Sequence, residues 1–232
     1  MLIDSHGWLT RSDDANPTVV HVPTRRTTTL DGAAPLGVCW HWTAGDYGVD
    51  RGHQDSVDLA RWIAEGSGPS WHVLIDKDGA VIVSASAFVG TNHVGKVGDI
   101  GGRRLAVNRN LIGIELENAG ELVRVGGHFY AWPVWKADAK GVASRALGPD
   151  PRYRVDAGRA VNDCEQVFDA FTDAQEWSAE LVVRALVARF GFTRADLSYG
   201  HVDFDAPRKM DPGPVWRLEV LPRILDRVFP AA

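Results

Sequence analysis

The sequence predicts an α/β fold, built as a single domain with a mixed central β-sheet flanked by helices. Three observations lead there. LGVCWHWTAG (36–45) and NLIGIELEN (110–118) are short apolar runs of the kind that form buried strands. WHVLIDKDGAVIVSAS (71–86) is a pair of β-rich runs joined at Asp78-Gly79, a strong hairpin signal. Two further segments, 54–66 and 171–191, carry helical periodicity, and strands interleaved with helices pack as layers around one core.

Taken in order, the first strand runs into a loop at Gly45. The helix over 54–66 buries Val57, Ala60, Ile63 and Ala64, and Gly66 is its natural stop. In the strand over 110–118, side-chain alternation puts Glu115 and Glu117 on one face. The helix over 171–191 opens on a capping box, Thr172 with Gln175, and closes at Gly191. Its expected buried stripe is Trp177, Leu181, Ala185 and Ala188. The tail from Val215 to Phe229 is helical by composition, with Pro222 forcing a break or a restart. Residues 119–170 break this rhythm. They are rich in Gly, Pro and Arg, carry Phe129, Tyr130, Trp132, Trp135 and Tyr153, and read as an insertion within one domain spanning 1–232. Those aromatics suit a small core of the insertion's own, with a sugar-stacking wall as the alternative.

Composition narrows the function. A chain of 232 residues with 45% hydrophobic and 24% charged residues can bury a substantial core. A net charge of −5 argues against nucleic acid or an anionic membrane as partner. Cys39 and Cys164 form neither a disulfide framework nor a CxxC metal site. No apolar run near the start suits a signal peptide and no stretch approaches a membrane span, so the expectation is a soluble chain, cytoplasmic as synthesised.

The segment GHVDFDAPRKMDPGP (200–214) places Lys209 eight residues and Asp211 ten residues after His201, with Pro212 and Pro214 stiffening the end. Catalytic zinc takes three protein ligands and keeps a fourth position for water. His41, at the end of its strand, with His201 and Asp211 would make such a set, and two imidazoles with one carboxylate leave the ion positive enough to acidify water and polarise a carbonyl. Eight histidines always offer some such trio, so composition alone leaves other choices open. Asp203 and Asp205 suit turn hydrogen bonds in the same loop.

Six segments appear together in this order: HWTAG (41–45), WHVLIDKDG (71–79), TNHVG (91–95), IGIELEN (112–118), FTDAQ (171–175) and GHVDFDAPRKMDPGP. As a set they resemble the zinc-dependent N-acetylmuramoyl-L-alanine amidases, a family of phage amidase-type lysozymes, cytosolic anhydro-muropeptide amidases and peptidoglycan recognition proteins. The resemblance runs from about His41 to Pro214, apart from the insertion. It implies Zn2+ in a surface cleft held by His41, His201 and Asp211, with Glu115 as catalytic acid/base and Lys209 as the cation beside the reacting carbonyl. It places His72 and His93 in segments that line the substrate cleft, and Arg208 where it could bind a substrate carboxylate. Asn92 departs from the pattern, since relatives often carry Trp there. Tyr47 is a lesser acid/base candidate, and Cys39 reads as a small core residue. The implied partner is peptidoglycan or a muropeptide, with no nucleic acid and no membrane, and the chain is expected to be a monomer, either an endolysin released to the cell wall by a holin-like pore or a cytosolic recycling amidase. A binding-only recognition module and a zinc amidase for another acyl-peptide are the competing readings.

Overall fold

A computed structural model describes residues 1–12, 17–44, 53–66, 68–131, 154–155, 160–163 and 166–230. In chain order the elements begin with a short hairpin, β1 (Leu2–Ile3) and β2 (Leu9–Thr10), then β3 (Val19–His21), β4 (Thr27–Thr29), β5 (Gly37–Trp42) and helix α1 (His53–Glu65). Next come β6 (Val73–Ile75), β7 (Val81–Val83), β8 (Val89–Thr91), the hairpin β9 (Val97–Ile100) and β10 (Arg103–Ala106), and β11 (Leu111–Leu116). β12 (Glu121–Val125), β13 (His128–Ala131), β14 (Arg154–Val155), β15 (Ala160–Asp163) and β16 (Gln166–Asp169) precede α2 (Asp173–Phe190). β17 (Tyr199–Gly200), the single turn α3 (Val202–Asp205), a π-helical stretch Val215–Val220 and α4 (Leu221–Val228) complete it.

Six strands form the central sheet in the order β17-β5-β11-β6-β7-β3. β17, β5, β11 and β6 run parallel to one another, β6 and β7 are the antiparallel hairpin expected at Asp78-Gly79, and β3 runs parallel to β7, so the sheet is mixed. One face carries Val38, Trp40, Val73, Ile75, Ile112, Ile114 and Leu116, packed against Ala179, Val182, Val183 and Leu186 of α2 and against Ile224 of α4. Each such buried aliphatic contributes about 1.5–3 kcal/mol. Behind Leu74 and Ile82, on the other face, lie Val57, Ala60 and Ile63 of α1. Alternation along β5 and β11 therefore turns Cys39, His41, Gly113 and Glu115 away from the α2 side.

The capping box forms as read: Thr172 Oγ1 accepts from Gln175 N at 3.0 Å, and Gln175 Oε1 accepts from Thr172 N at 3.2 Å. Gln175 also donates to the Glu117 carbonyl at 2.8 Å, which anchors the helix start to the end of the β11 segment. The expected stripe on this helix holds at Ala185, is half-buried at Leu181 and is corrected at its two ends. Trp177 is 51% exposed and Ala188 is exposed, while Ser178, Ala179, Val182, Val183, Ala185 and Leu186 are buried. The sequence offers two apolar faces about one residue apart, and packing against the sheet selects the one with the β-branched valines. At the tail, Pro222 falls in the first turn of α4, directly after the π-helical stretch Val215–Val220, where the helical geometry changes.

The 119–170 segment builds a sheet of its own, antiparallel and ordered β14-β13-β12-β16-β15. Ala119, Leu122, Ala131 and Val155 form its small core with Phe129 beside them, as expected for that aromatic. Trp132, Trp135 and Tyr153, on which the sugar-stacking alternative rests, lie outside the described residues, as do Tyr47 and Cys164. The segment is tied to the central sheet at its base: Asp169 accepts from Ala119 N at 2.8 Å and pairs with Lys77 Nζ at 2.9 Å.

α4 is clamped to α2 by charge. Arg223 and Arg227 bind Glu176, and Arg227 and Arg184 bind Glu180. Burial alone would raise both carboxyls, but the arginine hydrogen bonds outweigh it and hold both below the ordinary glutamate value of 4.5. Carboxyls with lowered folded pKa stabilise the fold above their unfolded value and lose that contribution as pH falls through the folded one. The double substitution Glu176→Gln, Glu180→Gln is therefore expected to cost about 1 kcal/mol at pH 7, the arginines being substantially exposed. Urea denaturation at falling pH should show the gap closing as the pH drops below 4.5 and through the lowered carboxyl values. A gap that persists there would assign the contribution to packing instead.

Candidate functional site

Strand pairing assembles the site. Glu115 of β11 lies directly opposite His41 of β5 in the parallel register, with both side chains on the face away from α2. β17 pairs with the other edge of β5, Gly200 opposite Trp40, and His201 follows at once with its N–H donated to the Trp40 carbonyl at 3.2 Å. His201, His41 and Glu115 thus stand side by side across three strands. The loop then folds back: Val202 N donates to the Asp211 carbonyl at 3.1 Å, and this returns the Asp211 side chain to the two histidines. Gly213, at φ +79°, sits where a Cβ would lie 2.3 Å from the Trp42 ring, so the loop packs flush against the strand end.

His41 Nδ1, His201 Nδ1 and Asp211 Oδ2 form a triangle with all three sides 3.1 Å. All three residues are buried. Protons alone cannot serve all three contacts: if each nitrogen donates to the carboxylate, the two N–H groups confront each other. A cation accepting three lone pairs satisfies the set, and tetrahedral bonds of about 2.0 Å put neighbouring ligand atoms about 3.3 Å apart. Burial lowers the pKa of His41, with Asp211 opposing, and keeps its imidazole neutral as a ligand must be. For Asp211, burial would raise the carboxyl, but the contacting imidazoles of His201 and His41 hold it well below the usual carboxylate range.

A second group, Cys39, His41 and His93, overlaps the first through His41. There the contact between His41 Nε2 and His93 Nδ1, at 3.0 Å, is an ordinary hydrogen bond. Burial, followed by Asp211 and Glu115, pushes the Cys39 thiol well up, against the thiolate a metal needs. The donor set of His41, His201 and Asp211 fits a divalent ion better.

Glu115 is 8% exposed, and its Oε2 has no hydrogen-bond partner among the described residues. Burial raises its carboxyl well above the ordinary range, Asp211 adds to the shift, and Lys209 opposes it. Lys209 also acts electrostatically on His41, so its charge reaches both sides of the site. Glu117 is occupied elsewhere: its Oε2 accepts from Ser56 Oγ at 3.2 Å and from Lys77 N at 3.0 Å. A buried carboxyl whose Oε2 has no partner among the described residues, beside a convergent ligand set and a lysine, is equipped to move a proton.

The three expected substrate contacts have partners within the protein. His72 is 2% exposed and spends both nitrogens inside the protein, Nε2 on the Val89 carbonyl at 2.9 Å and Nδ1 on the Gly113 N–H at 2.9 Å. Burial brings its pKa down to about 4, so it is a neutral strut between strands. His93 is likewise buried, behind His41. Arg208 is paired with Asp205 of its own loop, because that carboxylate is buried and close in sequence. Asp203 caps the loop as expected, accepting from Gly200 N at 2.7 Å. Nothing in the residue pattern pointed to the contact of His93 with His41, and spacing could not have shown it, since 52 residues separate them.

Residues 31–214 match the family described as N-acetylmuramoyl-L-alanine amidase. No curated protein matches the sequence. Among solved structures, a selenomethionine derivative of AmpD is 21% identical, with TM-score 0.58 over 97% of this chain and 99% of that one. AmpD of Citrobacter freundii is 21% identical, with TM-score 0.51 over 98% and 96% of the two chains. The amidase AmiD from E. coli, solved with the substrate anhydro-N-acetylmuramic acid-L-Ala-D-γ-Glu-L-Lys, is 19% identical, with TM-score 0.52 over 84% of this chain and 60% of that one. At these identities the structural likenesses establish the α/β fold. No helix among the described residues is long and apolar enough to cross a membrane.

Proposed function

The chain belongs to the N-acetylmuramoyl-L-alanine amidase family and is an amide hydrolase of that kind; we propose that zinc held by His41, His201 and Asp211, together with Glu115 and Lys209, carries out the hydrolysis. The bond cut joins the lactyl group of N-acetylmuramic acid to the L-alanine of the stem peptide, in peptidoglycan or in soluble muropeptides. The substrate in the AmiD complex contains that linkage. The observation that carries the assignment of roles is the 3.1 Å ligand triangle with the buried Glu115 carboxyl, its Oε2 without a partner among the described residues, on the strand position opposite His41.

When bound, zinc supplies an acidified water and a positive charge for the scissile carbonyl. Glu115 takes the proton from the attacking water and delivers it to the leaving nitrogen of L-alanine. Its raised proton affinity suits both halves, since a stronger base is needed first and a filled acid afterwards. Lys209 faces the negative charge that grows on the carbonyl oxygen and stabilises it more strongly than an exposed lysine could. His41 and Asp211 hold their ligand atoms in burial, which keeps competing water away.

Mass spectrometry of the products from zinc-loaded protein, mixed with intact sacculi and soluble anhydro-muropeptides, tests this reading. Free stem peptides that begin at L-alanine are expected, and the component consumed identifies the working substrate. Zinc-loaded protein that releases no peptide from either would overturn the substrate assignment.

A further inference from the structure

We propose that His93 is a positioning residue that fixes His41 in the tautomer presenting Nδ1 to the metal. The inference rests on the zinc reading above and goes beyond it, to a residue that touches neither substrate nor ion. His93 Nε2 lies 3.2 Å from the Leu111 carbonyl, which can only accept, so the proton of the His93 ring sits on Nε2. His93 Nδ1 then carries a lone pair, and it faces His41 Nε2 at 3.0 Å. His41 must donate across that contact. With its proton held on Nε2, Nδ1 is left bare toward His201 and Asp211. Donation by a ligand histidine to an outer partner orients the ring and raises its basicity.

The acceptor is locked in place from three sides. Asn108 Oδ1 accepts the backbone N–H groups of His93, Val94 and Gly95 at 3.1, 2.7 and 3.1 Å, which fixes the loop. The ring lies on Gly113 of β11, where an added Cβ would come within 2.7 Å of the His93 ring. The glycine inside IGIELEN therefore makes room for this histidine. The two rings meet edge to face, their centroids 5.1 Å apart. His201 lacks such support, for its Nε2 is buried without a partner among the described residues.

Long-range proton–nitrogen NMR of the zinc-loaded, 15N-labelled chain tests the proposal directly. Both His41 and His93 are expected as Nε2–H tautomers, and a His93 protonated at Nδ1 would overturn it. Competition with a chromogenic chelator supplies a second readout. His93→Leu fills the space without an acceptor and is expected to weaken zinc binding 10–100-fold. His93→Asn, whose carbonyl oxygen can take the place of Nδ1, should keep most of that affinity. Equal losses in the two variants, or no loss in His93→Leu, would count against a positioning role. A native chain that binds no zinc brings down the catalytic reading as well, whereas zinc bound beside an Nδ1–H His93 brings down only this one.

Discussion

Glu115→Gln is expected to hold zinc as the native chain does and to lose turnover by about 10²–10⁴-fold, the range for removing a general acid/base. The amide keeps the shape of the side chain but cannot take up a proton. Stability should be unchanged or slightly increased, because the native carboxyl is buried, lacks a hydrogen-bond partner among the described residues and has its proton affinity raised by that burial. A role confined to the transition state shows as a fall in kcat with KM little changed. Glu117→Gln is the matched control. It changes the same chemical group two residues along, yet the Glu117 carboxylate is engaged by Ser56 and the Lys77 backbone and takes no part in the site. Native turnover in Glu115→Gln, with metal content measured on the same sample, would remove Glu115 from the mechanism.

That contrast shows what a sequence can carry. Alternation alone put Glu115 and Glu117 on one face and could not choose between them. The choice needs Ser56, which α1 brings over the sheet from 61 residues away. Local signals were legible: the Asp78-Gly79 hairpin, the Thr172–Gln175 cap and the Gly191 stop each depend on a few adjacent residues, and each formed. The loop from His201 to Asp211 was legible for the same reason, its members being fixed relative to one another within eleven residues. What stayed hidden depends on register between distant strands. His72 and His93 sit in segments that approach the ligands, and only the pairing of β6 and β8 with their neighbours turns the two rings inward. The buried face of α2 was misjudged by about one residue, because its apolar side chains cover more than half of its circumference.

His201→Ala is expected to abolish stoichiometric zinc binding and, with it, all amidase activity. Removing one corner of the triangle leaves His41 Nδ1 and Asp211 Oδ2, two ligands where a catalytic ion needs three. The effect can be read without substrate. A ligand that binds only the folded state stabilises it by RT ln(1 + [L]/Kd), about 4 kcal/mol at a thousandfold excess over Kd. Thermal unfolding of the native chain should therefore shift upward with zinc, and that of His201→Ala should not. The metal-free variant is expected to unfold somewhat below the metal-free native chain, since the lost imidazole also contacts Asp211 at 3.1 Å, and the zinc-dependent shift of each chain is read against its own metal-free baseline. The overlapping group of Cys39, His41 and His93 makes the result decisive. If that group held the ion, His201→Ala would keep its zinc shift and Cys39→Ser would lose it; the convergence of three ligand atoms at 3.1 Å requires the reverse.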